Sequence, residues 1–201
     1  MKKNTVIENH LSPVEKLIKD VFQKRNVFSE PKKQLPEILV ITTFPPRDCE
    51  IAAYAQELIQ SLKAKSQNLF EVKICALNVS NEQHDYANTV DYVLDVEAVN
   101  SFTDLAQIIN NDDNIHIVLI QHEFGFFNNK EEELIQFLKK LNKSVLIAFH
   151  TVLAKPDISL QQNVQELTNA SDRIIVKNNS SQNILVNDYQ VSKDKISVIT
   201  H

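Results

Sequence analysis

Apolar residues gather in short continuous runs along most of this chain. From Glu37 onward they lie at 38–42 (ILVIT), 70–77 (FEVKICAL), 115–121 (IHIVLIQ), 145–149 (VLIAF), 173–176 (RIIV) and 196–199 (ISVI). Each run has strand length, and none alternates cleanly between apolar and polar, the pattern of strands buried on both faces. Between them, apolar residues recur at helical spacing. Ile51, Ala55, Leu58, Ile59 and Leu62 share one face; so do Phe102, Leu105, Ala106 and Ile109; so do Leu134, Ile135, Leu138 and Leu141. Strands separated by helices need crossovers, and crossovers make a parallel sheet covered on both sides. The stretch 78–100 is the least patterned, with a short strand expected at Tyr92–Val96.

Residues 1–36 read as an N-terminal extension. Within "SPVEKLIKDVFQKRN", Val14, Leu17, Ile18, Val21 and Phe22 fall on one helical face. Ser12 and Glu15 form a capping-box pair, with Pro13 at the first helical position. This predicts an accessory helix that packs on the domain, or alternatively binds a partner. Residues 37–201 then form one α/β domain: a doubly wound, mostly parallel, Rossmann-like sheet with helices on both faces.

Composition narrows the function classes. A chain of 201 residues with 43% hydrophobic and 23% charged residues can bury a real core and is ordinary for a globular protein. The net charge of −5, with no basic stripe, argues against nucleic-acid binding and against attraction to an anionic membrane. No apolar run reaches the roughly 18 residues of a transmembrane segment, and the N-terminus lacks the apolar core of a secretory signal. Cys49 and Cys75 show neither a disulfide framework nor zinc-ligand spacing. A reduced, cytoplasmic setting is the expectation.

Doubly wound sheets bind ligands beyond the carboxyl ends of their strands, which limits where chemistry belongs. Those ends carry "TTFPPRDCEIAAY" (42–54), His122–Glu123–Phe124–Gly125, "HTVLAKP" (150–156) and Lys177–Asn178–Asn179–Ser180. His122 and His150 each follow an apolar strand directly, so adjacent strand ends could bring them together as base or hydrogen-bond donor. Each could equally satisfy a loop backbone group. A metal held by His122, Glu123 and His150 lacks any helix-spaced motif to fix it, so no metal is assigned. His10, His84 and His116 receive no role. Arg47 either clamps a phosphate or carboxylate beside the helix that begins near Ile51, or is a solvated loop arginine. GxGxxG, Walker and GxSxG motifs are absent, which disfavours dehydrogenase, P-loop and esterase readings.

Taken together, "TTFPPRDCEIAAYAQEL", "IQHEFGFF", "AFHTVLAKP" and "YQVSKDKISVITH" resemble the N-terminal half of family 4 glycosyltransferases of the two-domain GT-B type. The resemblance runs from about Glu37 to His201 in the family's order. It implies a domain that receives a sugar, glycan or other hydroxyl acceptor, while a second domain binds a nucleotide-sugar donor. It implies hexosyl transfer with retention of configuration and no resident cofactor or metal. Carried over by motif, His122 is the catalytic residue facing the transfer point. Arg47, Cys49, Glu50, Glu123, Gly125, His150 and Thr151 line the acceptor side of the cleft.

Two departures stand out. The chain stops at His201, where the family continues into the donor-binding domain, so the chain is expected to be incomplete for catalysis alone. Glu50 stands where the family motif has glycine, and its carboxylate is expected to satisfy the free N–H groups of the helix that follows. Gly125, the single glycine of the chain, is either an ordinary turn residue or one whose positive φ lets a ligand come close. Two rival readings are a non-catalytic sugar-binding or docking module, marked by an exposed apolar surface beside His201, and half of a sugar-nucleotide epimerase.

Overall fold

The computed structural model describes residues 12–25, 27, 35–65, 69–79, 82–86 and 88–200. His10, His201 and the surface expected beside His201 lie outside them.

Seven strands form one sheet: β1 (Glu37–Thr42), β2 (Glu71–Asn78), β3 (Tyr92–Asp95), β4 (Ile115–His122), β5 (Ser144–Phe149), β6 (Arg173–Val176) and β7 (Ile196–Val198). Their order is β3-β2-β1-β4-β5-β6-β7, and every pairing is parallel. The expected doubly wound, Rossmann-like fold is therefore the observed one, and its sheet is wholly parallel. The chain builds outward from β1 to β3, then returns to the middle and builds the other way from β4. The switch point falls between β1 and β4.

Six helices cover this sheet: α1 (Pro13–Lys24), α2 (Glu50–Lys65), α3 (Ser101–Asn111), α4 (Glu131–Lys140), α5 (Ile158–Asn169) and α6 (Asn179–Asp188). Helices α3 to α6 bury their apolar faces against Leu39, Ile41, Val118, Ile120, Val145 and Ile147. Helices α1 and α2 cover the other face, over Ile38, Val40, Ile74, Leu119, Leu146 and Ile175. Successive strand residues thus enter different cores, which explains why each strand is apolar throughout.

The accessory helix packs on the domain as expected. Ser12 and Glu15 form both halves of the capping box, and Ile18 and Phe22 are 0% and 1% exposed. Helices α5 and α6 carry weaker apolar stripes, and their starts are set by caps. Leu160 N–H donates to Asp157 Oδ1 and Ser181 N–H to Asn178 Oδ1, each at 2.8 Å.

A chain with one glycine must place other residues where the backbone turns left-handed. Asn100, Asn129, Lys155 and Gln190 take φ values of 64°, 60°, 54° and 59°. Asparagine tolerates this region, whereas lysine and glutamine hold it at a cost of about 1–2 kcal/mol. Gln190 follows the C-cap of α6, where glycine is the common residue. Gln190→Gly should raise the unfolding free energy by about 0.5–1 kcal/mol, strain relief outweighing the added freedom of the unfolded chain. Gln190→Val should lower it, because branching at Cβ is worst there. Urea titrations of the three proteins test the ranking; valine at or above glycine would mean that this turn stores no strain.

Candidate functional site

The loops after β1, β4, β5 and β6 emerge at the same edge of the sheet, around the switch point. Three of them carry the residues singled out from sequence.

In the first loop, Thr42 and Thr43 are fully buried, and a cis peptide joins Pro45 to Pro46. Cys49 caps α2: its carbonyl accepts from Ala53 N–H at 3.1 Å, and its sulfur lies 3.4 Å from Ala52 N. Thr43 Oγ1 is also 3.4 Å from that sulfur. Glu50, the first residue of α2, is exposed. The cap expected from its carboxylate is instead formed by Cys49, one position earlier, where the side chain can fold back over the first turn. Arg47 turns toward the loop after β2 and pairs with Glu82, which lies 3.5 Å from His84 Nε2. Beside them the Tyr86 hydroxyl donates to Asn78 Oδ1 at 2.8 Å.

At the ends of β4 and β5 the backbones of the two histidines meet, with His150 N–H donating to the His122 carbonyl at 3.0 Å. Their rings do not meet. His122 is register-paired with Phe149, and its imidazole enters the α3–α6 side of the sheet. There it packs against Phe149 (4.8 Å), Phe124 (5.2 Å) and Phe127 (5.6 Å), is 2% exposed, and has no hydrogen-bond partner for Nδ1. His150 lies on the α2 side, with Nε2 hydrogen-bonded to Gln121 Oε1 and its ring edge-on to Tyr54 at 5.2 Å. A step of one residue along a strand reverses the face, so Gln121 accompanies His150 while His122 faces the other way.

Glu123 and Thr151 connect the same two strand ends. Thr151 Oγ1 donates to Glu123 Oε2 at 2.7 Å, and Phe124 N–H donates to Glu123 Oε1 at 3.2 Å. The carboxylate is thus fixed over the first turn of a short 3₁₀ helix, Phe124–Phe127. Gly125 sits in that helix without a positive φ, and a Cβ there would meet nothing within 4 Å. The left-handed residue of this loop is Asn129, so the conformational reading of Gly125 is corrected. What remains at Gly125 is an open approach to the backbone.

Sequence reasoning passed over Tyr54 and Gln121, and left Lys177 without a role. Lys177 Nζ stands 5.1 Å from the centre of the Tyr54 ring. A polar residue buried at the end of an apolar strand is the signal that could have found Gln121. Burial raises the Tyr54 hydroxyl to about 12, so it stays a neutral donor. Among the described residues no three His, Cys, Asp or Glu side chains converge as a metal site, and no helix is long and apolar enough to cross a membrane.

No family model matches this chain, and no curated protein matches it. Among solved structures it is similar to an alpha-glucosyltransferase in complex with UDP and a 13-mer DNA containing a HMU base, at 14% identity and a TM-score of 0.46. The match covers 71% of this chain and 36% of that one, so this chain spans about a third of that protein's length.

Burial of His122 has a measurable consequence. Desolvation, helped by nearby His150, lowers its pKa from 6.5 to about 3, so the folded protein keeps this ring neutral. Above pH 6.5 both folded and unfolded chains hold it uncharged, and stability is unaffected. Between about 6.5 and 3 only the unfolded chain takes up the proton, costing up to about 1.4 kcal/mol per pH unit. Unfolding free energies at pH 7, 6, 5 and 4 should therefore fall more steeply for the natural protein than for His122→Phe. His122→Ala should also cost about 2–4 kcal/mol, because it opens a cavity among three phenylalanines. Equal pH slopes for the natural protein and His122→Phe would place the ring in contact with water.

Proposed function

We propose that this chain is the acceptor-side domain of a glycosyltransferase of the GT-B type, resembling family 4. In this reading it presents a hydroxyl acceptor to a nucleotide-sugar donor held by a second domain or a separate chain. The observation that carries it is the bridge between strand ends: His122 carbonyl to His150 N–H, and Glu123 to Thr151. Two motifs far apart in sequence, both expected from the resemblance, thereby make one polar rim beside the switch point. Across the switch point, Cys49 caps α2 in the first loop and Arg47 is held by Glu82 on the β2 side.

The roles follow from chemistry. Glu123 accepts hydrogen bonds from sugar hydroxyls, Thr151 holds that carboxylate in place, and His150 orients the acceptor from the α2 side. His122, neutral and shielded, acts at the transfer point by hydrogen bonding. For that its ring must turn out from beneath Phe124. Positioning and charge stabilisation supply most of the rate in such transfers, and both need the donor wall as well. Hexosyl transfer with retention, and independence from metal, belong to the same reading.

The aromatic enclosure of His122 favours a second reading, a carbohydrate-binding module without catalysis. One experiment separates them. The 201-residue protein is incubated with a panel of nucleotide sugars and glycan acceptors, and acceptor binding is followed by saturation-transfer NMR. The proposal expects saturable acceptor binding, weakened at least tenfold by Glu123→Gln, with sugar release at background until a donor-binding domain is supplied. Rapid transfer by the chain alone would overturn the half-site view. Binding that never becomes transfer with any donor domain would leave the binding module.

A further inference from the structure

A cleft of about 500 Å³ opens at the opposite edge of the sheet, where β5, β6 and β7 begin. It lies between the second half of α1, from Leu17 to Arg25, and the strand starts at Ser144, Arg173 and Ser197. Strand β5 runs from Ser144 to Phe149, so the cleft stands about 17 Å along the sheet from the Glu123–Thr151 rim. A space of this size takes a small molecule.

Cations outnumber carboxylates there. Lys24, Arg25 and Arg173 line the cleft together with Asp20 and Asp172. Burial lowers the pKa of Lys195, the charge of Asp172 raises it and that of Arg173 lowers it, which puts a fourth cation beside the same group. Asp172 has little left to offer them. Its Oδ2 already accepts from Val145 N–H at 2.8 Å, and Arg25 Nη2 is 4.0 Å away, the outer limit of an ion pair. The two arginines are anchored by backbone instead: Arg25 Nη1 donates to the Asn142 carbonyl at 3.4 Å, and Arg173 Nη1 to the Asp194 carbonyl. A carbonyl positions a guanidinium without neutralising it. Four cations against two carboxylates leave a surplus of two positive charges, in a chain whose net charge is −5.

We propose that this cleft binds a small phosphate monoester, its phosphoryl group held between Arg25 and Arg173. Such a group carries a charge of about −1.5 to −2 at neutral pH, which matches the surplus. Planar guanidinium groups pair with two phosphate oxygens at once, and Lys24 adds a mobile ammonium from the last turn of α1. Ser144, 2% exposed, lines the cleft as a neutral polar residue. The bound phosphate would join the end of α1 to the start of β6, so the ligand holds the accessory helix on the sheet. This site needs neither the acceptor rim nor a donor domain.

The test uses the whole chain with glycerol phosphate and uncharged glycerol, followed by NMR shifts of the Arg25, Arg173 and Ser197 amides. Glycerol phosphate should saturate these shifts at millimolar concentration and raise the melting temperature, while glycerol does neither. Arg173→Gln and, separately, Arg25→Gln should each weaken binding about tenfold, the worth of one charged hydrogen bond. Asp20→Asn should tighten it about threefold, because a competing carboxylate is gone. Lys139→Gln, which breaks an exposed pair with Glu166 elsewhere, should change nothing. Thermal melts confirm that each variant is folded, and two arginine variants guard against the loss of one. Phosphatidylcholine vesicles carrying phosphatidic acid are sedimented in parallel, to separate a soluble ester from a lipid headgroup. No saturation by glycerol phosphate, indifference to both arginine variants, or weaker binding in Asp20→Asn would overturn the proposal. Binding to the vesicles alone would overturn it too, in favour of a lipid surface.

Discussion

The handedness of strand crossovers governs this structure more than any single contact. A parallel strand pair linked through a helix is built right-handed almost without exception. With β1 in the middle of the sheet, the outward path to β2 puts α2 on one face, and the return path from β3 through β7 puts α3 to α6 on the other. The consequence is asymmetric. Half of one face, over β4 to β7, receives no crossover helix. Leu119, Leu146, Ile175 and Ile199 would stand in water there without α1, which arrives from outside the winding to cover them. The same reversal opens the gap at the switch point, where the loops after β1 and β4 part to opposite faces. Core, accessory helix and site therefore share one cause.

How much of this could be read in the sequence depends on what each pattern encodes. Strand positions were legible because buried parallel strands are continuous apolar runs, and β1, β4, β5 and β6 fall where those runs lie. Even the short β3 was visible as Tyr92–Val96, against an observed Tyr92–Asp95. The same continuity hides which face a residue takes. In a strand apolar on both sides, Gln121 and His122 look like equal neighbours at the exit, and so do Phe149 and His150. Only the pairing of His122 with Phe149 separates the two imidazoles, and that register depends on contacts the sequence does not spell out. The histidines were thus rightly expected at adjacent strand ends, while the placement of their rings was beyond reach.

Glycine scarcity teaches a related point about reading single residues. A lone glycine invites a conformational explanation, yet Gly125 occupies ordinary 3₁₀ geometry with open space where a Cβ would lie. The backbone positions that do favour glycine are held by asparagine, lysine and glutamine. Composition shows that glycine is rare but not where the chain turns left-handed, because turn geometry is set by how far each helix must travel to the next strand. Glu50 is a similar case. Its place at the start of α2 was correctly anticipated, but a thiol one residue earlier had the better angle for the cap.

Two opposite electrostatic settings now flank the switch point. On the β2 side the half-buried Arg47 is matched by Glu82, so an incoming anion must first displace a carboxylate. On the β6 side Lys177 rests on an aromatic face that lends it little competing negative charge. Exposed ion pairs are individually weak, yet they decide which cation a ligand meets unpaired. Between these two settings lie Glu123 and Thr151, joined by a hydrogen bond of 2.7 Å. Those two residues are already locked together across the strand ends, so they cost little further ordering when a hydroxyl arrives.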